Sequence, residues 1–95
     1  MVYLITYDLK KPKQNYSKLY DAIKSFGNWW HYLDSTWLVD TALNAEQIHQ
    51  VLKQHVLDQN DYVLITRITP DTTASLPDEA NRWITSRIGK TLYHN

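Results

Sequence analysis

The chain opens with a run of apolar and aromatic positions that ends in a carboxylate. Residues 1–8 read Met-Val-Tyr-Leu-Ile-Thr-Tyr-Asp. Valine, isoleucine, tyrosine and threonine favour an extended, pleated backbone, so the pattern predicts a strand. Neither alternating face of the run is charged before Asp8, which predicts a strand covered on both sides at the centre of a sheet. The basic, proline-containing residues 9–13 predict a loop.

Two segments have the periodicity of amphipathic helices. In the first, apolar side chains recur at helical spacing: Tyr16, Leu19, Tyr20, Ile23 and Phe26. Gly27 follows as the predicted stop. The second helix begins after Asn44, a good N-cap whose capping-box partner is Gln47. Its predicted apolar face includes Ile48 and Leu52.

The remaining segments predict three more strands and a terminal helix. Residues 29–33 and 36–41 are aromatic and β-branched runs around the polar pair Asp34-Ser35, which predicts a hairpin. Residues 61–69 predict the fourth strand. Residues 70–75 are expected to be a flexible linker, and a short helix is predicted to begin at Pro77. The tail after Gly89 is expected to fray.

This order predicts an α+β fold of the ferredoxin-like type, β-α-β-β-α-β with an added C-terminal helix. Residues 1–70 would form the ferredoxin-like part, and residues 71–95 the linker and helix of the same single domain. Two helices would cover one face of the sheet. Large apolar residues lie on both faces of the strands, so the other face needs the terminal helix, a second subunit, or both. We predict a symmetric homodimer.

Strand ends carry several carboxylates that the topology would bring together. With the first and third strands taken as central and parallel, we expect Asp8, Asp40, Asp61 and residues 29–31 at one edge of the sheet. Asp34 and Ser35 would lie at the opposite edge. Three carboxylates at one rim suit a hard cation, which prefers oxygen ligands. The alternative is that these aspartates, Asp8 included, bind their own backbone in turns.

Composition narrows the class of protein. The 95 residues fit one domain and include no cysteine, which excludes disulfides and thiolate chemistry. No apolar run reaches the length of a membrane span and no signal-peptide pattern is present, so a cytoplasmic protein without membrane contact is expected.

The formal net charge is zero, but its distribution is uneven. Residues 1–33 hold five lysines against two aspartates. A polyanion such as RNA or DNA would therefore bind the first loop and first helix, through Lys10, Lys11, Lys13 and Lys18. The alternative is a solvated helix face rich in lysine.

The opening strand, residues 2–8 with the pair Tyr7-Asp8, and the predicted element order resemble the CRISPR-associated small nuclease family, the second Cas protein. Virulence-associated protein D, a ribonuclease toxin, has a similar opening strand and fold. The resemblance implies a ferredoxin-like homodimer in which Asp8 of each subunit faces its mate and shares one Mg²⁺. It further implies metal-dependent cleavage of RNA or double-stranded DNA, or a scaffolding role beside the integrase.

The chain departs from that family in three places. Its hairpin is aromatic, an arginine-rich segment after the hairpin is missing, and the C-terminus predicts a helix where many members place an exchanged strand. It therefore looks like a stand-alone, SinR-like relative found outside CRISPR loci.

Two mechanistic readings and one interaction role remain open from the sequence. As a nuclease, the chain would use Asp8 as metal ligand and catalytic residue, with His31 as general acid or base if it lies at the same rim. The alternative for His31 is packing among tryptophans.

As a non-catalytic dimer, the chain would stack bases on its hairpin aromatics: Trp29, Trp30, Tyr32 and Trp37. The alternative is that these rings fill the core and the dimer interface. A protein-interaction subunit with no nucleic-acid role, for instance one half of a toxin–antitoxin pair, is the third hypothesis.

Overall fold

A computed structural model describes residues 1–9, 16–55, 57–58 and 60–89. The elements follow in the predicted order. They are β1 (Val2–Asp8), α1 (Tyr16–Lys24), β2 (Asn28–Leu33), β3 (Thr36–Asp40), α2 (Ala45–His55), β4 (Tyr62–Arg67) and α3 (Asp78–Ile88). The described part of the chain is therefore a small α+β domain with four strands and three helices. None of these helices combines the length and apolar character needed to cross a membrane.

The four strands form one antiparallel sheet in the order β2-β3-β1-β4. β1 lies between β3 and β4, which confirms the prediction that the opening run is a central strand. The hairpin is confirmed as well, since β2 and β3 pair across the turn at Asp34 and Ser35.

The expectation that β1 and β3 run parallel was wrong. Val2 lies opposite Asp40 and Thr6 opposite Thr36, so the two strands are antiparallel. The reason is the connectivity: β2, reached from β1 through a helix, runs parallel to β1, and the hairpin then reverses the chain. Asp8 therefore lies at the end of the sheet that carries the Asp34-Ser35 turn, and Asp40 lies at the other end.

The helices α1 and α2 cover one face of the sheet, here called the front face. The strands contribute Tyr3, Ile5, Tyr7, Trp37 and Val39 to this core, and the helices contribute Leu19, Ile23, Ile48 and Leu52. The predicted capping box is present: the Asn44 side chain accepts the Gln47 backbone N–H at 2.8 Å, and the Gln47 side chain accepts that of Asn44 at 2.9 Å.

Helix α1 ends earlier than its apolar periodicity predicts. The helix stops at Lys24, and Phe26 packs on the front core from the following turn. Gly27 comes next, and a Cβ at this position would clash with the backbone oxygen of Asp40. A glycine is therefore needed where the chain crosses the end of β3.

The opposite face of the sheet, the back face, is covered over one half by α3. Val2, Trp30 and Leu38 pack there against Ala80 and Ile84. The segment predicted as a flexible linker also lies on this face, where Ala74 and Leu76 are partly buried against the same cluster. Residues 90–95, the predicted frayed tail, lie outside the described residues.

Candidate nucleic-acid and metal site

Asp8 ends β1 at the half of the back face that α3 leaves uncovered. Side chains alternate along β1, so Asp8 shares its face with Leu4 and Thr6. It lies opposite Tyr62 of β4 and is exposed to solvent. Together with its neighbours on β1 and β4 it lines a shallow groove of about 270 Å³.

The surface around Asp8 is apolar or bears hydroxyl groups. We call it the open patch. It consists of Thr6, Asp8, Leu33, Thr36, Tyr62 and Leu64. Tyr62 is 63% exposed, Leu64 60% and Leu33 47%. The hydroxyl of Thr36 donates to that of Thr6 at 3.1 Å.

Of the predicted carboxylate partners, Asp61 lies at the same end of the sheet as Asp8 and Asp40 does not. Asp61 accepts the backbone N–H of Asp58 at 2.8 Å, so it closes the turn before β4 as a turn aspartate does. Within the described residues, no three His, Asp or Glu side chains are placed to hold a metal ion together.

Asp40 forms ion pairs at the far end of the sheet, which corrects the expected three-carboxylate rim. Its carboxylate lies 3.2 Å from Nε of Arg87 on α3 and 3.3 Å from the amino group of Met1. Trp29, at the start of β2, lies at this end too, opposite Val39. Asp40 therefore ties α3 to the sheet.

His31 lies on the front face, across the sheet from Asp8. Its ring stacks on Trp37 with centroids 3.9 Å apart and an interplanar angle of 13°. Its Nε2 is 2.7 Å from the backbone oxygen of Asp34. His31 therefore packs against a tryptophan, which was the alternative to a catalytic role. Within one chain, His31 and Asp8 lie on opposite faces of the sheet.

The lysines of the candidate phosphate-binding surface are described only in part. Lys18 is exposed in the first turn of α1. The connection from β1 places the start of α1 at the Asp8 end of the sheet. Lys10, Lys11 and Lys13 lie outside the described residues.

The hairpin aromatics divide into buried and exposed rings. Trp30 and Trp37 are only 3% and 1% exposed, so neither is available to stack a base, and they fill the two cores as the alternative held. Trp29 and Tyr32 are 43% and 45% exposed. The Nζ atom of Lys24 lies 4.9 Å from the Trp29 ring centroid, which adds a cation beside an exposed indole.

Tyr7 is a residue whose polar role the sequence pattern did not reveal. Its hydroxyl accepts a hydrogen bond from Nε1 of Trp37 at 3.2 Å inside the front core. Burial of this phenol raises the pKa of Tyr7 far above its ordinary value. The residue next to Asp8 is thus kept neutral and is bonded to Trp37 in the front core.

No protein-family model, curated protein or solved structure matches the chain.

Proposed function

We propose that this protein is a homodimer that cleaves nucleic acid, with Asp8 of each subunit as the ligand of a shared Mg²⁺. The observation that carries the proposal is the position of Asp8: an exposed carboxylate at the end of the central strand, inside the open patch. A twofold axis that passes close to Asp8 would bring two such carboxylates together.

The fold proposed with it is ferredoxin-like, of the kind found in the second Cas protein. Support comes from the order β-α-β-β-α-β, the sheet order β2-β3-β1-β4 and the placement of α1 and α2 on one face. Like the members of that family, the chain ends its first strand in a Tyr-Asp pair.

The exposed apolar side chains support dimerisation through the open patch. Leu64, Tyr62 and Leu33 lie on one side of the sheet and are each at least 47% exposed. Large apolar side chains exposed on one face of a sheet are typical of protein interfaces. A symmetric interface uses the same patch twice, and with the twofold axis close to Asp8 the two Asp8 carboxylates would approach each other.

The donor set fits Mg²⁺ and is sparse for other metals. Mg²⁺ keeps several waters and binds through one or two carboxylates together with phosphate oxygens. Two Asp8 side chains would supply those carboxylates, and bound Mg²⁺ supplies activation of water and charge compensation at the phosphate. Lys18, exposed at the same end of the sheet, would bind a flanking phosphate.

The test compares Asp8→Asn with Asp34→Asn, which removes an exposed carboxylate from the turn at the same end of the sheet. Labelled RNA and duplex DNA are incubated with each protein in Mg²⁺, Mn²⁺ or EDTA. We expect cleavage that needs the metal, persists in Asp34→Asn and is lost in Asp8→Asn. Undiminished cleavage by Asp8→Asn would overturn the proposed site.

A second candidate is a non-catalytic nucleic-acid-binding or scaffolding dimer, including a toxin–antitoxin component. The observation that favours it is the position of His31, which stacks on Trp37 on the front face, across the sheet from Asp8. Binding without cleavage, weakening steeply with salt and abolished by Trp29→Ala with Lys24→Ala, is the expected result for nucleic-acid binding.

A further inference from the structure

A second cavity lies away from Asp8, between α3 and the free edge of β2. Its volume is about 330 Å³, and its lining consists of Trp29, Trp30, His31, Tyr32, Glu79 and Trp83. The first four are consecutive in β2, and the side chains of consecutive strand residues point to opposite faces of a sheet. A cavity that touches all four therefore lies along the edge of the strand and not on one face. We call it the edge groove.

The backbone of β2 faces this groove at Trp29. The N–H of Thr41 donates to the carbonyl of Met1 at 2.9 Å, so Thr41 turns its main-chain groups toward β1. In an antiparallel sheet alternate residues turn both groups to the same neighbour, so Val39 also faces β1. Trp29 lies opposite Val39 in the pairing of β2 with β3. Its N–H and C=O therefore point away from β3, toward the free edge.

The edge of β2 is open but short. Within the described part of the chain, β2 has a neighbouring strand on one side only. Residues 28–33 contain no proline and no charged side chain, which are common blocks to pairing at an edge. A register irregularity between Trp30 and Leu33 interrupts the regular pairing of the strand. The edge therefore suits an added strand of only a few residues.

Helix α3 determines what can occupy this edge. Glu79 and Trp83 are four positions apart, so they face the groove from the same side of the helix. An added strand would lie about 4.8 Å from β2. A single extended chain needs only this space between β2 and α3. Antiparallel pairing of two β2 strands would instead place both α3 helices next to each other on the same face of the joined sheet.

The charge of the lining indicates the chemistry of the occupant. Glu79 is exposed, and the six lining residues include neither lysine nor arginine. Asp78 precedes Glu79 in the first turn of α3. A basic side chain on an added segment would therefore meet an opposite charge. A second copy of this chain would instead bring Glu79 close to its own counterpart.

We propose that the edge groove binds an extended peptide segment of a partner protein, which adds a strand to β2 at Trp29 and places a lysine or arginine beside Glu79. Main-chain hydrogen bonds supply the affinity, and the opposite charges set the preference for basic segments. The site is separate from Asp8 and from the open patch, so it does not depend on the proposed nuclease activity.

The probe is a blocked pentapeptide, Val-Thr-Arg-Thr-Val, titrated into the intact protein. Amide hydrogen exchange is followed by NMR at Trp29, whose N–H points to the groove. Trp30 is the internal reference, because it lies opposite Leu38 and points its N–H to β3. We expect saturating peptide to slow exchange at Trp29 at least about tenfold and to leave Trp30 unchanged.

Two matched pairs separate strand addition from binding through side chains alone. N-methyl groups on the even-numbered or on the odd-numbered peptide residues remove alternate sets of donors, so one of these peptides should lose binding and the other should keep it. In the protein, Trp29→Pro removes the outward N–H, which an edge strand tolerates, whereas Trp29→Val removes the indole and keeps the N–H. We expect Trp29→Pro to bind the peptide about tenfold more weakly than Trp29→Val.

The charge preference is tested on both partners. Glu79→Gln keeps the size of the side chain and removes its charge, so affinity for the arginine peptide should fall about threefold, as for an exposed ion pair. Glu46→Gln, which changes an exposed glutamate in the first turn of α2, should leave the affinity unchanged. Thermal unfolding of each variant checks that it is folded.

Three results would overturn the proposal: equal binding of the two N-methylated peptides, equal affinities of Trp29→Pro and Trp29→Val, or unchanged exchange at Trp29 in millimolar peptide. Equal effects of Glu79→Gln and Glu46→Gln would overturn the preference for a basic segment. Protection of Trp29 that rises with protein concentration without peptide would assign the edge to a second copy of the chain, which also overturns the proposal.

Discussion

Replacing Leu64 by serine tests whether the open patch is the dimer interface. Leu64 is 60% exposed in the single chain, so the substitution should change the stability of one subunit little. In a symmetric dimer the side chain is buried twice, once from each subunit.

The expected size of the effect follows from that exposure. Burying a whole leucine side chain stabilises by about 1.5–3 kcal/mol, so the exposed 60% corresponds to about 1–2 kcal/mol per subunit. Two copies give about 2–4 kcal/mol, which raises the dimer dissociation constant roughly 30- to 700-fold.

The assay is sedimentation equilibrium over a range of protein concentrations. Tyr16→Ser is the matched control, because Tyr16 is an apolar side chain 37% exposed on α1, across the sheet from the open patch. The Tyr16→Ser variant should have the same dimer dissociation constant as the unchanged protein. A monomeric unchanged protein, or equal shifts for Leu64→Ser and Tyr16→Ser, would contradict dimerisation through the open patch.

Three further predictions concern stability, each measured by urea unfolding. Asn44→Ala removes one half of the capping box with Gln47 and should cost about 1 kcal/mol; no loss would mean that the box is not formed in solution. Trp37→Phe should cost about 1–3 kcal/mol more than Trp30→Phe, since the Trp37 indole donates to Tyr7 whereas the buried Trp30 indole N–H has no partner in the described part of the chain; equal costs would contradict this. Because the folded-state pKa of Tyr7 is raised, its contribution is present below the unfolded value of about 10 and falls as the pH rises above it. Tyr7→Phe should flatten that alkaline loss, and an unchanged slope would assign the loss to other groups.

Local patterns in the sequence predicted the elements well. The uncharged run before Asp8 gave a central strand, and the pair Asn44 and Gln47 gave the start of α2. Both features depend on residues that are close together in the sequence, so a local pattern is enough to predict them. The end of α1 was less well predicted, because Phe26 continues the apolar period although it packs from a turn.

The predicted orientation of the strands was the main error. It placed Asp40 at the same end of the sheet as Asp8. Hydrophobic periodicity identifies a strand but carries no information about its direction. Direction follows from the connections, and a hairpin after a helical crossover must place β3 antiparallel to β1. With that rule applied, Asp40 separates from Asp8 and joins Trp29 at the other end of the sheet.

Side-chain partners across the fold could not be predicted from local pattern. The four tryptophans look alike in the sequence, yet Trp30 packs under α3, Trp37 under the front helices, and Trp29 is partly exposed. Which ring is buried depends on strand alternation and on where α3 docks. The same docking creates the contact between Tyr32 and Glu79, which are 47 positions apart by their numbers.

The lack of charge on either face of β1 has a consequence for how the sheet is aligned. Slippage of a strand by one residue exchanges its two faces, and here it would exchange one uncharged set for another. Hydrophobic burial alone would therefore favour the native pairing over the slipped pairing only weakly. The acid at position 8 supplies the missing penalty, because a slipped strand would turn the carboxylate of Asp8 toward the helices, where losing its water is costly. Asp8 therefore helps to fix the register of β1 in the sheet, independently of any ligand that it binds.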